Sequence, residues 1–203
     1  STVDVKPELT SSNPLEEVNQ LGTDITTARK DQINVLSPGW FTKAENSYFD
    51  AKNGLETGME TAKVLQLVTT AKAQLHKANE TAKLSQSTLA EAIESRRMAR
   101  RAGATELGKD YIQAENKFLD LTRSVEKNDL RQAKKNQPKV SELFHALEVR
   151  AIKEKTIGEA RSLIEKAHDD GTRKIAPHTY TQARKKLEQT DAFISANPHD
   201  TEV

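Results

Sequence analysis

The sequence predicts an all-α protein: an elongated antiparallel bundle of repeated helical hairpins, with one or two long helices. Three observations lead there. Apolar residues make up 35% of the chain and aromatics 4%, against 30% charged, a profile of solvated helices rather than of a sheet-containing core. The apolar residues recur at steps of three and four, which places them on one face of a helix. Finally, one phrase occurs three times, about seventy residues apart. It reads Phe41, Ala44, Tyr48, then Tyr111, Ala114, Phe118, then Tyr180, Ala183, Leu187. In the first two copies the match extends over Ala44–Asp50 and Ala114–Asp120. A recurring helical unit implies an array, and arrays hold, span or bind more often than they catalyse.

The elements follow in order. Residues 1–12 read as a flexible tether, small and polar with Pro7 and no apolar stripe. Asn13-Pro14 supplies an N-cap and a first-turn proline for a helix to about Gln32, striped by Leu15, Val18, Leu21, Ile25 and Ala28, with Gly22 weakening its middle. Ser37-Pro38 opens the next helix by the same logic, to about Asn53, with Gly54 and Gly58 flanking a break. Val64, Val68, Ala71, Leu75, Ala78, Ala82, Ser85, Leu89 and Ala92 then predict one helix of about 40 residues, roughly 60 Å long, ended by Gly103. The alanine and serine seam favours close antiparallel packing.

The second copy runs from about Thr105 to Glu126. A further helix begins near Leu130, is interrupted or kinked at Pro138, resumes through Val140, Leu143, Phe144, Leu147, Ala151, Ile157, Ala160, Leu163, Ile164 and Ala167, and stops at Asp169-Asp170-Gly171. The third copy spans Pro177 to Ala196, closed by Asn197-Pro198, and residues 199–203 form a loose tail. This amounts to about five to seven helices in a single repeat domain, residues 13–198, with units near 14–57, 58–127 and 128–198. Phe41, Tyr111 and Tyr180, with Ala44, Ala114 and Ala183, are the expected seam residues.

Composition also excludes functions. Thirty-one basic against 30 acidic residues leave a net charge of +1 and no field for nucleic acid. No apolar run approaches the roughly 18–20 residues needed to span a bilayer. Without cysteine there is no disulfide, thiol chemistry or cysteine-ligated metal.

Candidate sites are few. The five histidines (His76, His145, His168, His178, His199) are scattered, and no two share helical metal-ligand spacing. His168-Asp169-Asp170 reads as a helix terminus. The carboxylate pairs Glu91/Glu94 and Glu56/Glu60 read as solvated, since acid–base work needs enclosure. Arg97, Arg100 and Arg101, beside Arg96, share one face and form a candidate contact for an anion or an acidic partner. Trp40 and Phe49, which lack aromatic counterparts in the third copy, are candidate interface aromatics. No catalytic constellation, metal site or cofactor is expected.

The segment Ala176-Pro177-His-Thr-Tyr180-Thr-Gln-Ala183-Arg-Lys-Lys-Leu187-Glu-Gln-Thr-Asp-Ala192 resembles a helical domain of unknown function found in Gram-negative envelope lipoproteins, often ahead of an OmpA-like domain. Phe193-Ile-Ser-Ala-Asn197-Pro198 is similar to how such units end. The resemblance covers about 25 residues, with echoes at Pro38 and Gly108; Gly108 departs from the proline, and the chain has no OmpA-like domain, so peptidoglycan binding does not carry over. It implies a periplasmic or outer-membrane-anchored protein with an acylated cysteine preceding Ser1. The expected function is a non-enzymatic structural or adaptor role in the bacterial cell envelope, a helical spacer contacting another envelope protein, with neither nucleic acid nor a small-molecule substrate as partner. The alternative is an amphipathic-helix protein that binds lipid directly.

Overall fold

A computed structural model describes residues 13–170 and 176–196. The tether 1–12, the stop at Gly171, the Asn197-Pro198 closure and the tail 199–203 lie outside the described residues. Within them the protein is all-α and strand-free, a bundle of eight α-helices. These are α1 (Pro14–Lys30), α2 (Ile33–Leu36), α3 (Pro38–Glu56), α4 (Thr61–Thr88), α5 (Ala90–Arg101), α6 (Lys109–Glu126), α7 (Leu130–Asp169) and α8 (Pro177–Ala196), with a 3-10 turn at Ala104–Leu107. The chain forms two compact units. One comprises residues up to Ala90 together with Phe118–Asn136, the other Glu91–Lys117 together with the residues from Gln137 onward.

In the first unit, α3 packs chiefly on α4, and α1 on both. Asn13 caps α1 by accepting from the Leu15 N–H at 3.0 Å. Val18, Leu21, Ile25 and Ala28 are buried as their spacing requires, whereas Leu15, in the first turn beside the cap, is exposed. Gly22 has a packing role that propensity does not show. A Cβ there would meet the Tyr48 hydroxyl at 2.7 Å, so glycine is what lets that ring lie against α1. Gln32 adopts a left-handed conformation (φ 61°) and turns the chain into α2, a short helix that the periodicity does not announce.

The seam residues from Val64 to Ala92 are all buried, but the helix carrying them is not continuous. It breaks at Leu89 (φ −115°, ψ 29°), between α4 and α5. The break follows the run Ser85-Gln86-Ser87-Thr88. The Ser85 hydroxyl donates to the Leu36 carbonyl at 2.7 Å inside the core, and that of Ser87 to the Leu84 carbonyl at 3.0 Å. A local bond such as that of Ser87 offers the backbone an alternative to the helical ladder. The opposite deviation occurs at Pro138, where α7 runs on through the proline for 40 residues. Pro138 and Lys134, whose carbonyl loses its helical donor, are both exposed, so water can satisfy that oxygen.

The second unit contains α5, the first half of α6, most of α7, and α8. Ala92, Ala99, Ala114, Phe144, Leu147, Ala151, Ile157 and Ile194 supply its buried apolar surface. Gly103 (φ 92°) and Gly108 (φ 59°) take positive φ on either side of the 3-10 turn, and at Gly108 the proline of the other copies could not adopt it. Two stripe residues of α7, Leu143 and Leu163, are exposed.

Candidate functional site

The repeated phrase does form seams in its first two copies, through an arrangement the apolar pattern alone does not reveal. In the first unit Phe41 and Ala44 are buried. Arg29, in the last turn of α1, places its guanidinium 5.0 Å from the Phe41 ring centroid and pairs with Glu45, four residues beyond that ring. In the second unit Tyr111 takes the place of Phe41, and Arg96 donates through Nε to Glu115 at 2.7 Å. The Tyr111 hydroxyl donates to the same Glu115 oxygen at 2.6 Å, and its ring packs edge-on to Phe144 at 6.2 Å. Each copy thus combines an aromatic, a glutamate four residues later, and an arginine from a preceding helix. Burial, followed by the bond to Glu115, holds the Tyr111 phenol well above its ordinary pKa.

The third copy departs from this. Tyr180 and Leu187 are half-buried, Ala183 is exposed, and an arginine, Arg184, stands where Glu45 and Glu115 stand. Its partner is Glu188 on the same helix, at 3.7 Å. The expectation that Ala183 is a seam residue is therefore corrected. Among the described residues of α8 only Ile194 is fully buried.

The four arginines of α5 divide. Arg96 is buried against Glu115, while Arg97, Arg100 and Arg101 are exposed, as their common face requires. Arg97 is already engaged with Glu94 on its own helix, a hydrogen bond that lowers the Glu94 pKa and raises that of Arg97. Trp40 and Phe49 do not form one patch. They lie nine residues apart on α3, half a turn out of phase. Trp40 is partly buried beneath the Lys43 ammonium, 4.3 Å from its ring centroid. Phe49 is 48% exposed, with the tilted Tyr48 ring 5.3 Å from its own.

Glu126 is the residue sequence reasoning missed. From the end of α6 it accepts from the Ser37 hydroxyl at 2.7 Å and from the Gly39 and Trp40 N–H groups, both at 3.0 Å. Ser37 makes no side-chain cap of its own. The carboxylate therefore caps α3 across nearly ninety positions of sequence, where the helix dipole favours negative charge. Nothing local in the sequence could signal it.

The acidic pair at Glu56/Glu60 and the His168 terminus behave as surface. Glu56 and Glu60 are exposed, and Glu60 lies 3.6 Å from Lys63. His168 sits beside Asp169 at 3.3 Å and against the Tyr180 ring. No group of three or more His, Asp or Glu side chains that could hold a metal ion occurs among the described residues. Nor, among them, is any helix long and apolar enough to cross a membrane.

The fold and these seams define the class, an all-α helical-bundle protein. No protein-family model, curated protein or solved structure matches the chain.

Proposed function

We propose that this protein is a non-enzymatic helical scaffold or adaptor of the bacterial cell envelope, built of repeated helical hairpins and anchored to or facing the outer membrane. The observation that carries the reading is the recurrence of one arrangement, Arg29–Glu45–Phe41 and Arg96–Glu115–Tyr111. Both copies commit an arginine, a glutamate and an aromatic to joining helix to helix, as in arrays whose repeats bury their faces on neighbours. The envelope assignment rests on the resemblance of Ala176–Ala192 to lipoprotein helical domains. Contact with an acidic partner would use the exposed face of Arg97, Arg100 and Arg101.

Liposome flotation of the non-acylated chain tests this reading against direct lipid binding. A scaffold stays at the bottom of the gradient with neutral and with anionic vesicles. Flotation with neutral vesicles would overturn it in favour of an amphipathic lipid binder, and flotation with anionic vesicles that R97E/R100E abolishes would make the arginine face a lipid contact rather than a protein one.

A further inference from the structure

The third copy of the repeat lacks the joint that closes the second. The helices preceding the two short ones align at Thr88–Ile93 and Thr156–Arg161, an offset of 68 residues. That offset puts Ile164 where the second copy carries Arg96, and Arg184 stands where it carries Glu115. Both members of the Arg96–Glu115 pair are therefore replaced, and an isoleucine with an arginine cannot rebuild it. In place of a sealed seam, α7 and α8 border a cleft of about 590 Å³, lined among others by Ile164, Tyr180, Arg184 and Leu187.

Burial follows the same division. The short helix of the second copy, α6, buries Ala114, Phe118, Leu121, Thr122 and Val125, whereas α8 buries Ile194 alone among its described residues. On α7, no described residue from Gly158 to Asp170 is buried, and Leu163 is 69% exposed. What holds α8 lies toward its C-terminal end. Asp191 is 3.0 Å from Lys153 and 3.5 Å from Arg161, cations on one face of α7 with the buried Ile157 midway between them in sequence. These pairs are partly to largely solvated, so each contributes little and salt screens both. An element with one buried side chain and solvated ion pairs stands at the low end of local stability.

We propose that α8 is a strap, latched to α7 at Asp191 and unlatched along the Tyr180–Arg184 turn, which opens without unfolding the rest of the second unit and opens more often as ionic strength rises.

The test is amide hydrogen exchange on the full chain, read by mass spectrometry at low and high sodium chloride. A lone helix of 20 residues is marginal in water, so release from α7 frees its amides to exchange. Residues 182–196 should exchange about a hundredfold faster than residues 113–125 of α6. D191N should accelerate exchange in α8 by about fivefold and leave α6 unchanged. High salt should reproduce that effect in wild type and add little to D191N. The double substitution I164R/R184E, which restores the arginine and glutamate of the second copy, should slow exchange in α8 by about fivefold, while neither single substitution does so. Protection of α8 equal to that of α6 would overturn the proposal. Equal acceleration of both helices by D191N would do the same, since the unit would then open as a whole, and so would a D191N variant whose α8 exchanges at the wild-type rate. Asp191 is only partly buried, so D191N keeps the test decisive if I164R disturbs folding.

Discussion

Replacing Glu126 by alanine should destabilise the first unit by about 2–4 kcal/mol, through a contact formed far from its own helix. The substitution removes three hydrogen bonds at once, from Ser37 Oγ and from the Gly39 and Trp40 N–H groups. Losing an N-cap costs about 0.5–2 kcal/mol, and losing a partly buried carboxylate at a helix N-terminus up to about 2. Ser37 is fully buried, so its hydroxyl is stranded at about 1–3 kcal/mol. These effects overlap, because the same oxygens serve all three donors, and the sum is accordingly less than the total of the parts. E126Q keeps the shape and one acceptor oxygen and should cost about half as much, about 1–2 kcal/mol. Trp40 is the only tryptophan in the chain and lies in the capped turn. Its fluorescence during urea unfolding therefore reports on the region concerned. An E126A midpoint within about 0.5 kcal/mol of wild type, the range of ordinary surface changes, would refute the long-range cap. Additive effects of S37A and E126A in a double-mutant cycle would refute the Ser37 part of it.

Three further outcomes follow from the same geometry. G22A would ordinarily stabilise a helix by about 1 kcal/mol, but the added Cβ meets the Tyr48 hydroxyl at 2.7 Å. It should therefore destabilise in urea melts, and markedly less so in a Y48F background. R96A should cost about 2–4 kcal/mol, because Glu115 is left largely buried, still accepting from Tyr111 but without its guanidinium partner; an additive R96A/E115A cycle would contradict the pairing. The Tyr111 phenol should stay protonated in absorbance titrations well beyond the ordinary phenol range. Its folded pKa is raised, so the associated stability is fully present below the unfolded value of about 10 and declines as pH rises from there toward the folded pKa. Y111F should remove that part of the alkaline decline, and an unchanged decline would count against it.

Much of the fold was legible because burial obeys helical period. Every seam position from Val64 to Ala92 is buried, and α8 begins at Pro177, where the proline puts its start. What escaped prediction arises from interactions between distant segments. The Ser85 hydroxyl reaches the Leu36 carbonyl of a distant segment, and α7 passes through Pro138 with solvent on that side. Period places residues on a face but does not say whether anything covers that face, which is why Leu143, Leu163 and Ala183 are exposed. For the candidate sites, spacing put Arg97, Arg100 and Arg101 together on the surface, yet it treated Arg96 as one of the same cluster. Glu45 and Glu115 were visible only as letters of a repeat. Their role depends on arginines arriving from other helices.

The central claim, that the chain works by contact with another envelope protein, is tested most directly by lysine crosslinking on intact producing cells, followed by mass spectrometry and by membrane fractionation. The account predicts that the protein fractionates with the envelope, that crosslinks recur to one periplasmic or outer-membrane protein, and that R97E/R100E weakens those crosslinks while leaving the helical content unchanged. A cytosolic fraction with crosslinks to cytosolic proteins alone would contradict it.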